Sequence, residues 1–232
     1  MFKILPILLA VIYGIAMYRF SVWRTARMLD KESTELSDPM LNILTDRMAG
    51  ALEIDRIPVH IYEVDVVNGL AVEDGRIFIT RGFFNKYRQG DVSADEMASV
   101  IAHELGHVAL GHARRRMIDF SGQNALRVVL ITIVNRFIPG LGVWIANMLM
   151  SLISARLSRS DEYEADAYAA ALLVKSGIGT GPQKTLFGKL AQITGNMGAG
   201  PPAWLLSHPK TEDRVKAIEE LEARWDTPRL ES

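Results

Sequence analysis

His103-Glu104-Leu105-Gly106-His107 sets two imidazoles four residues apart. In a helix such residues share a face, so both can present a nitrogen to one tetrahedral metal ion. Glu104 then lies beside that ion, where a carboxylate can take a proton from an activated water, as in metal-assisted peptide hydrolysis. So short a pattern also arises in helices by chance. The plainer reading is two core histidines bonded to backbone carbonyls and a glutamate paired with Arg114 or Arg115.

The surroundings favour a metal. Ser93-Ala94-Asp95-Glu96 has the form of a capping box that starts a helix ahead of the histidines. Met97, Val100, Ile101, Leu105, Val108 and Leu110 leave little room for a polar face, so this helix is expected to be buried. Buried imidazoles and a buried carboxylate need partners, because an uncompensated charge in an apolar interior is costly or shifts its pKa. One cation satisfies all three groups.

A third ligand is on offer in Ser158-Arg159-Ser160-Asp161-Glu162-Tyr163-Glu164-Ala165-Asp166. Glu162 and Asp166 share a helical face, whereas Glu164 points elsewhere. With Glu162 as the third ligand, Asp166 is placed to accept the second N–H of a ligating histidine and fix its tautomer. Two histidines and one glutamate leave a position open for water, the arrangement of a catalytic zinc. Taken alone, the acidic run reads as a solvated helix face. Zinc is inferred from ligand type, and other divalent ions suit the same donors.

The rest of the chain must position these groups. Its 232 residues suffice for one domain with a substantial core, and 26 basic against 27 acidic residues give no electrostatic case for nucleic acid. The absence of cysteine excludes disulfides and thiolate ligands. Hydrophobic residues make up 49%, and the excess lies in two places. Ile4 to Tyr18 carries no charge, and Phe20, Val22 and Trp23 extend the run. Residues 1–24 are therefore expected to anchor the chain in a membrane by a single pass. The rival is a cleaved signal peptide, with Lys3 ahead of the apolar run and Gly14-Ile15-Ala16 as the cleavage site. Arg19, Arg24, Arg27 and Lys31 favour an uncleaved anchor with the C-terminal bulk in the cytoplasm. The second apolar run, within 124–157 and broken by Pro139-Gly140, is expected to form a helical hairpin. It either packs on the core, dips into the membrane face or spans it.

Between these lies the body of the domain, expected over 33–227. Asp38-Pro39 starts an amphipathic helix whose apolar face is Leu41, Leu44, Met48 and Leu52. Val59 to Val64 and Arg76 to Thr80 read as strands, with Asp74-Gly75 as a turn and Asn68-Gly69-Leu70-Ala71 as a short strand or bulge. A sheet edge at Asn68, Gly69, Leu70 and Ala71 can add an extended peptide as another strand, or the sheet can merely cover the helix. His60 reads as a surface or core histidine. The expected fold is α+β and mostly helical, with a small antiparallel sheet beside the histidine-bearing helix.

The order of motifs carries a resemblance. HELGH, a hydrophobic insertion, SRSDEYEAD, and then Ser207-His208-Pro209 followed by Arg214-Val215 together resemble the HtpX and CAAX prenyl protease family of membrane-associated zinc metallopeptidases. The likeness runs from about Pro39 to Leu221. It implies a zincin-like core with one catalytic zinc on His103, His107 and Glu162, Glu104 as catalytic base, and Asp166 in support. It further implies that His208 can approach the metal as a gate or transition-state donor, although a cap ahead of the last helix is equally compatible. Arg214 is open between a structural salt bridge and an oxyanion contact.

HtpX-like members carry several spanning helices and prenyl proteases enclose a large intramembrane chamber, neither of which this chain offers. The resemblance therefore points to an endopeptidase of protein quality control acting on protein or peptide substrates. It would sit at a bacterial inner membrane, touching lipid through the N-terminal helix and residues 124–157. Two other classes stay open. One is a tethered chaperone-like or binding protein with an idle metal site, and the other a zinc hydrolase of small substrates.

Overall fold

In this computed structural model the residues described are 5–72, 74–112, 114, 115, 131, 133–136, 140–194 and 211–226, and side chains at 5–11, 14, 17, 18, 21, 22, 153–156, 191 and 211 lie outside the description. Helix α1 runs Leu5–Lys31, and its C-terminal end docks on the domain by burying Leu29 and pairing Asp30 with Arg76. Among the described residues no helix is long and apolar enough to cross a membrane. The anchor expected over 1–24 falls largely on side chains outside those described. Ile12, Tyr13, Ile15, Phe20 and Trp23 are exposed.

Helix α2, Pro39–Leu52, begins as its sequence indicates. Asp38 caps it by accepting from the Met40 and Leu41 N–H groups, and proline follows at the first turn, where no N–H is missed. Leu41, Leu44 and Met48 are buried on its inner face. Helix α3, Arg81–Arg88, follows directly from the sheet. Helix α4, Ala94–Ala109, carries the complete capping box between Ser93 and Glu96, and every residue from Glu96 to Gly106 is buried.

The sheet has four strands, β1 Ser33–Glu35, β2 Val59–Tyr62, β3 Gly69–Ala71 and β4 Ile77–Thr80, in the order β1-β2-β4-β3. It is mixed, which corrects the antiparallel expectation: β2 and β4 are parallel, with Val59 opposite Ile77. The Asp74-Gly75 turn does join an antiparallel pair, but that pair is β3 with β4. All four residues of β4 are buried, as a central strand requires, which leaves β1 and β3 as edges.

Helix α5, Gly142–Lys175, is one unbroken helix of 34 residues. At 1.5 Å per residue it is about 51 Å long. This corrects the hairpin boundary at 157: the second limb and the acidic stretch are a single rod, and most of the first limb lies outside the described residues. At its N-terminal end Val143, Trp144, Met148 and Leu152 are exposed, whereas Ala165, Ala169, Leu172 and Leu173 are buried. Helices α6, Gly181–Thr194, and α7, Thr211–Asp226, complete the domain. The main core joins α2, the sheet, α4, the C-terminal half of α5, and α6, with Ile218 entering from α7.

Candidate metal centre

Helices α4 and α5 meet where neither has bulk. A methyl built on Gly106 would stand 3.0 Å from the Ala165 carbonyl oxygen and 3.1 Å from its Cα, so the central glycine of HELGH permits the approach. That contact brings Glu162 to the two histidines. His103 Nε2 lies 3.2 Å from His107 Nε2 and 3.3 Å from a Glu162 carboxylate oxygen, and His107 Nε2 lies 3.4 Å from the other. Ligands at the usual zinc distances of about 2.0–2.1 Å define a tetrahedral edge of about 3.3–3.4 Å. Each pair of groups thus approaches to about one such edge, the two histidines facing different oxygens of Glu162, and one ligand atom from each of the three residues lies within 4.8 Å of the others. Among the described residues they form a group that could hold a metal ion.

Asp166 and Arg214 stand behind His103. The histidine donates from Nδ1 to Asp166 at 2.9 Å, which turns Nε2 toward the cluster. Arg214, fully buried on α7, grips both oxygens of Asp166 through Nε and Nη2 at 2.6 Å each. Its guanidinium also lies over the Phe187 ring and 3.7 Å from Glu162. Burial opposes ionisation of Asp166, but the Arg214 charge and hydrogen bonds hold its pKa below the usual value. Burial likewise opposes a charge on His103, yet hydrogen bonds with Asp166 and Glu162 outweigh it and push its pKa up to about 9. These carboxylates thus strongly favour a positive charge between them. Burial depresses the pKa of His107, a neutral imidazole ready to ligate.

Glu104 is buried beside strand β3. A Cβ at Gly69 would be 3.1 Å from Glu104 Oε1, so the Glu104 carboxylate lies directly against an edge strand. Asn68, Leu70 and Ala71 continue that strand, and Thr80 Oγ1 accepts from the Asn68 N–H at 2.9 Å. His60 sits away from the cluster in β2, stacked on Phe78. His208 lies outside the described residues.

The sequence reading overlooked His112. Helix α4 ends at Ala109, Gly111 turns the chain at a φ of +65°, and His112 returns fully buried with its Nδ1 2.7 Å from His107 Nδ1. Its other nitrogen faces Glu164 at 3.4 Å, and Arg115 pairs with Glu164 at 2.8 Å and Asp161 at 3.4 Å. The available signal was a histidine just past a glycine that closes the metal helix.

Comparison with known proteins identifies the family. The model of peptidase family M48 matches residues 35–222. The mitochondrial metalloendopeptidase OMA1 of Danio rerio is 26% identical over 212 residues, covering 83% of this chain and 43% of its own. The metalloprotease LoiP of Escherichia coli is 30% identical over 159 residues, covering 68% and 60%. A protease HtpX homolog of Leptothrix cholodnii is 27% identical over 235 residues, covering 85% and 77%. The chain thus spans about half the length of the first two relatives. With the match running through the strands, the histidine helix and the acidic helix alike, the chain belongs to peptidase family M48.

Proposed function

We propose that the protein is a zinc metalloendopeptidase that cleaves protein substrates in membrane-associated quality control. The observation carrying this reading is the cluster of His103, His107 and Glu162, whose groups approach one another to 3.2–3.4 Å beside a buried Glu104. Zinc held there supplies Lewis acidity toward the scissile carbonyl and the attacking water. Glu104 takes the proton from that water and delivers it to the leaving amine, so one carboxylate serves as base and then acid. Asp166 keeps the His103 proton on Nδ1, and Arg214 holds Asp166 ionised and in place. Two nitrogens of the buried Arg214 are held on Asp166, which supports a positioning role.

The substrate edge is β3. It flanks α4, has no strand on its outer side among the described residues, and brings backbone at Asn68 to Ala71 past Glu104. An extended peptide pairing there would carry its bonds past the base. Relatives named as metalloendopeptidase OMA1 and a protease HtpX homolog support the endopeptidase reading. The apolar side chains exposed on α1 and at the start of α5 support attachment to a membrane through both.

Casein cleavage by detergent-purified protein tests the reading, comparing wild type with Glu104→Gln while zinc is measured in both. Each should hold about one zinc per chain, as a three-ligand catalytic site does, and only the wild type should cleave. Cleavage by Glu104→Gln at the wild-type rate would overturn the role of Glu104. Zinc in both with activity in neither would favour the idle-site class.

A further inference from the structure

We propose that His112 is a positioning residue that selects the nitrogen through which His107 meets the metal. This rests on the zinc reading of His103, His107 and Glu162. A neutral imidazole carries one proton, and the nitrogen without it is the ligand. His107 Nε2 faces the cluster, so its proton must sit on Nδ1, which is 2.7 Å from His112 Nδ1. Two nitrogens so close form a hydrogen bond only if one is protonated and the other bare. His112 Nδ1 is therefore the acceptor, and its own proton lies on Nε2.

That nitrogen faces Glu164 at 3.4 Å and Asp161 at 4.0 Å, both acceptors. Arg115 bonds to the same two carboxylates and keeps them there. The direction is thus set from the outer end: carboxylates take the Nε2 proton, His112 accepts from His107, and His107 Nε2 is left bare. The reverse arrangement would put a proton on the nitrogen that must ligate and aim a bare nitrogen at two carboxylates.

Local structure makes this contact specific. Had α4 continued past Ala109, His112, five residues beyond His107, would have pointed about 140° away around the helix. The left-handed backbone at Gly111 breaks the helix and folds the ring back. Burial of His112 then excludes water as a competing acceptor.

The test is zinc affinity, by chelator competition, of wild type, His112→Phe and His112→Asn. Phenylalanine fills the volume without an acceptor, whereas the asparagine carbonyl oxygen can stand where Nδ1 stands. Loss of such an outer partner should weaken zinc binding by roughly 10–100-fold in His112→Phe, with His112→Asn restored to within about threefold of wild type. Equal affinity in wild type and His112→Phe would overturn this inference while leaving the zinc site intact. Failure of the wild type to bind zinc would overturn the zinc reading, and this with it. If His112→Phe does not fold, nitrogen-resolved histidine NMR of the zinc-loaded wild type decides. A bare Nδ1 and protonated Nε2 on His112 support the assignment, and the opposite pattern contradicts it.

Discussion

The two histidines of one helix turn are held by opposite kinds of support. Behind His103 stands a dry, charged pair, Asp166 gripped by Arg214, with both side chains at most 2% exposed. Behind His107 stands a second imidazole, His112, whose far side reaches carboxylates shared with Arg115, and there Arg115 and Glu164 are about two-fifths exposed. An ion pair sealed from water cannot be replaced by solvent when it breaks, whereas a partly exposed one can. The difference implies that the His103 side carries rigidity and stability, and the His107 side carries orientation at small cost to the fold.

Removing the buried cation should break this contrast most severely. Arg214→Met removes the cation paired with Asp166 and close to Glu162, and breaking a buried pair in this way costs about 3–5 kcal/mol. Chemical denaturation should show that loss, with zinc retention falling alongside. A variant as stable as wild type would mean that the buried pair is dispensable.

The pH dependence of the metal-stripped protein isolates the same side. The pKa of His103 is raised from 6.5 to about 9, so its contribution to stability is fully present below about 6.5 and lost as pH rises toward 9. The melting temperature of stripped protein should therefore fall across that window, relative to His103→Gln, and zinc should remove the dependence. Zinc binding at neutral pH should also release a proton, measurable by titration calorimetry in buffers of different ionisation enthalpy.

Both supports depend on α4 and α5 crossing at Gly106. Gly106→Ala adds a methyl 3.0 Å from backbone rather than from a movable side chain. Overpacking of this kind costs about 1–3 kcal/mol, and it should shift Glu162 away from both histidines. Weaker zinc binding by chelator competition is the check.

The smallest effect belongs to the exposed end. Arg115→Ala should lower stability by no more than about 1 kcal/mol, as is usual for surface pairs, and loosen zinc only slightly. A loss comparable to that of Arg214→Met would erase the contrast between the two supports.

What was legible from the chain follows the range of the physics involved. The capping box at Ser93, the proline start at Asp38-Pro39 and the i, i+4 pairs His103/His107 and Glu162/Asp166 are local, and spacing reveals them. The structure brings together the three ligands expected, with Asp166 behind His103. The sheet order was not legible, because the parallel pairing of β2 with β4 is decided by where β3 folds, not by any turn residue. Strand β1, Ser-Thr-Glu, has no apolar alternation to announce it. The unbroken α5 was hidden by a change in composition near Ser158: its apolar first half and acidic second half face different surroundings along one rod. Gly106 and His112 were missed for a common reason. A glycine inside a helix reads as a cost and a histidine beyond it as surface, until the crossing helix and the left-handed turn at Gly111 give each a neighbour.

On the proposed reading, His103, His107 and Glu162 hold one catalytic zinc. X-ray absorption at the zinc edge, on wild type and Glu162→Gln, addresses it directly. Wild type should show about one zinc per chain, nitrogen and oxygen ligands at about 2.0–2.1 Å, and outer-shell scattering from two imidazoles. Glu162→Gln should bind zinc far more weakly. Zinc without the imidazole signature, or zinc bound equally well by Glu162→Gln, would contradict it.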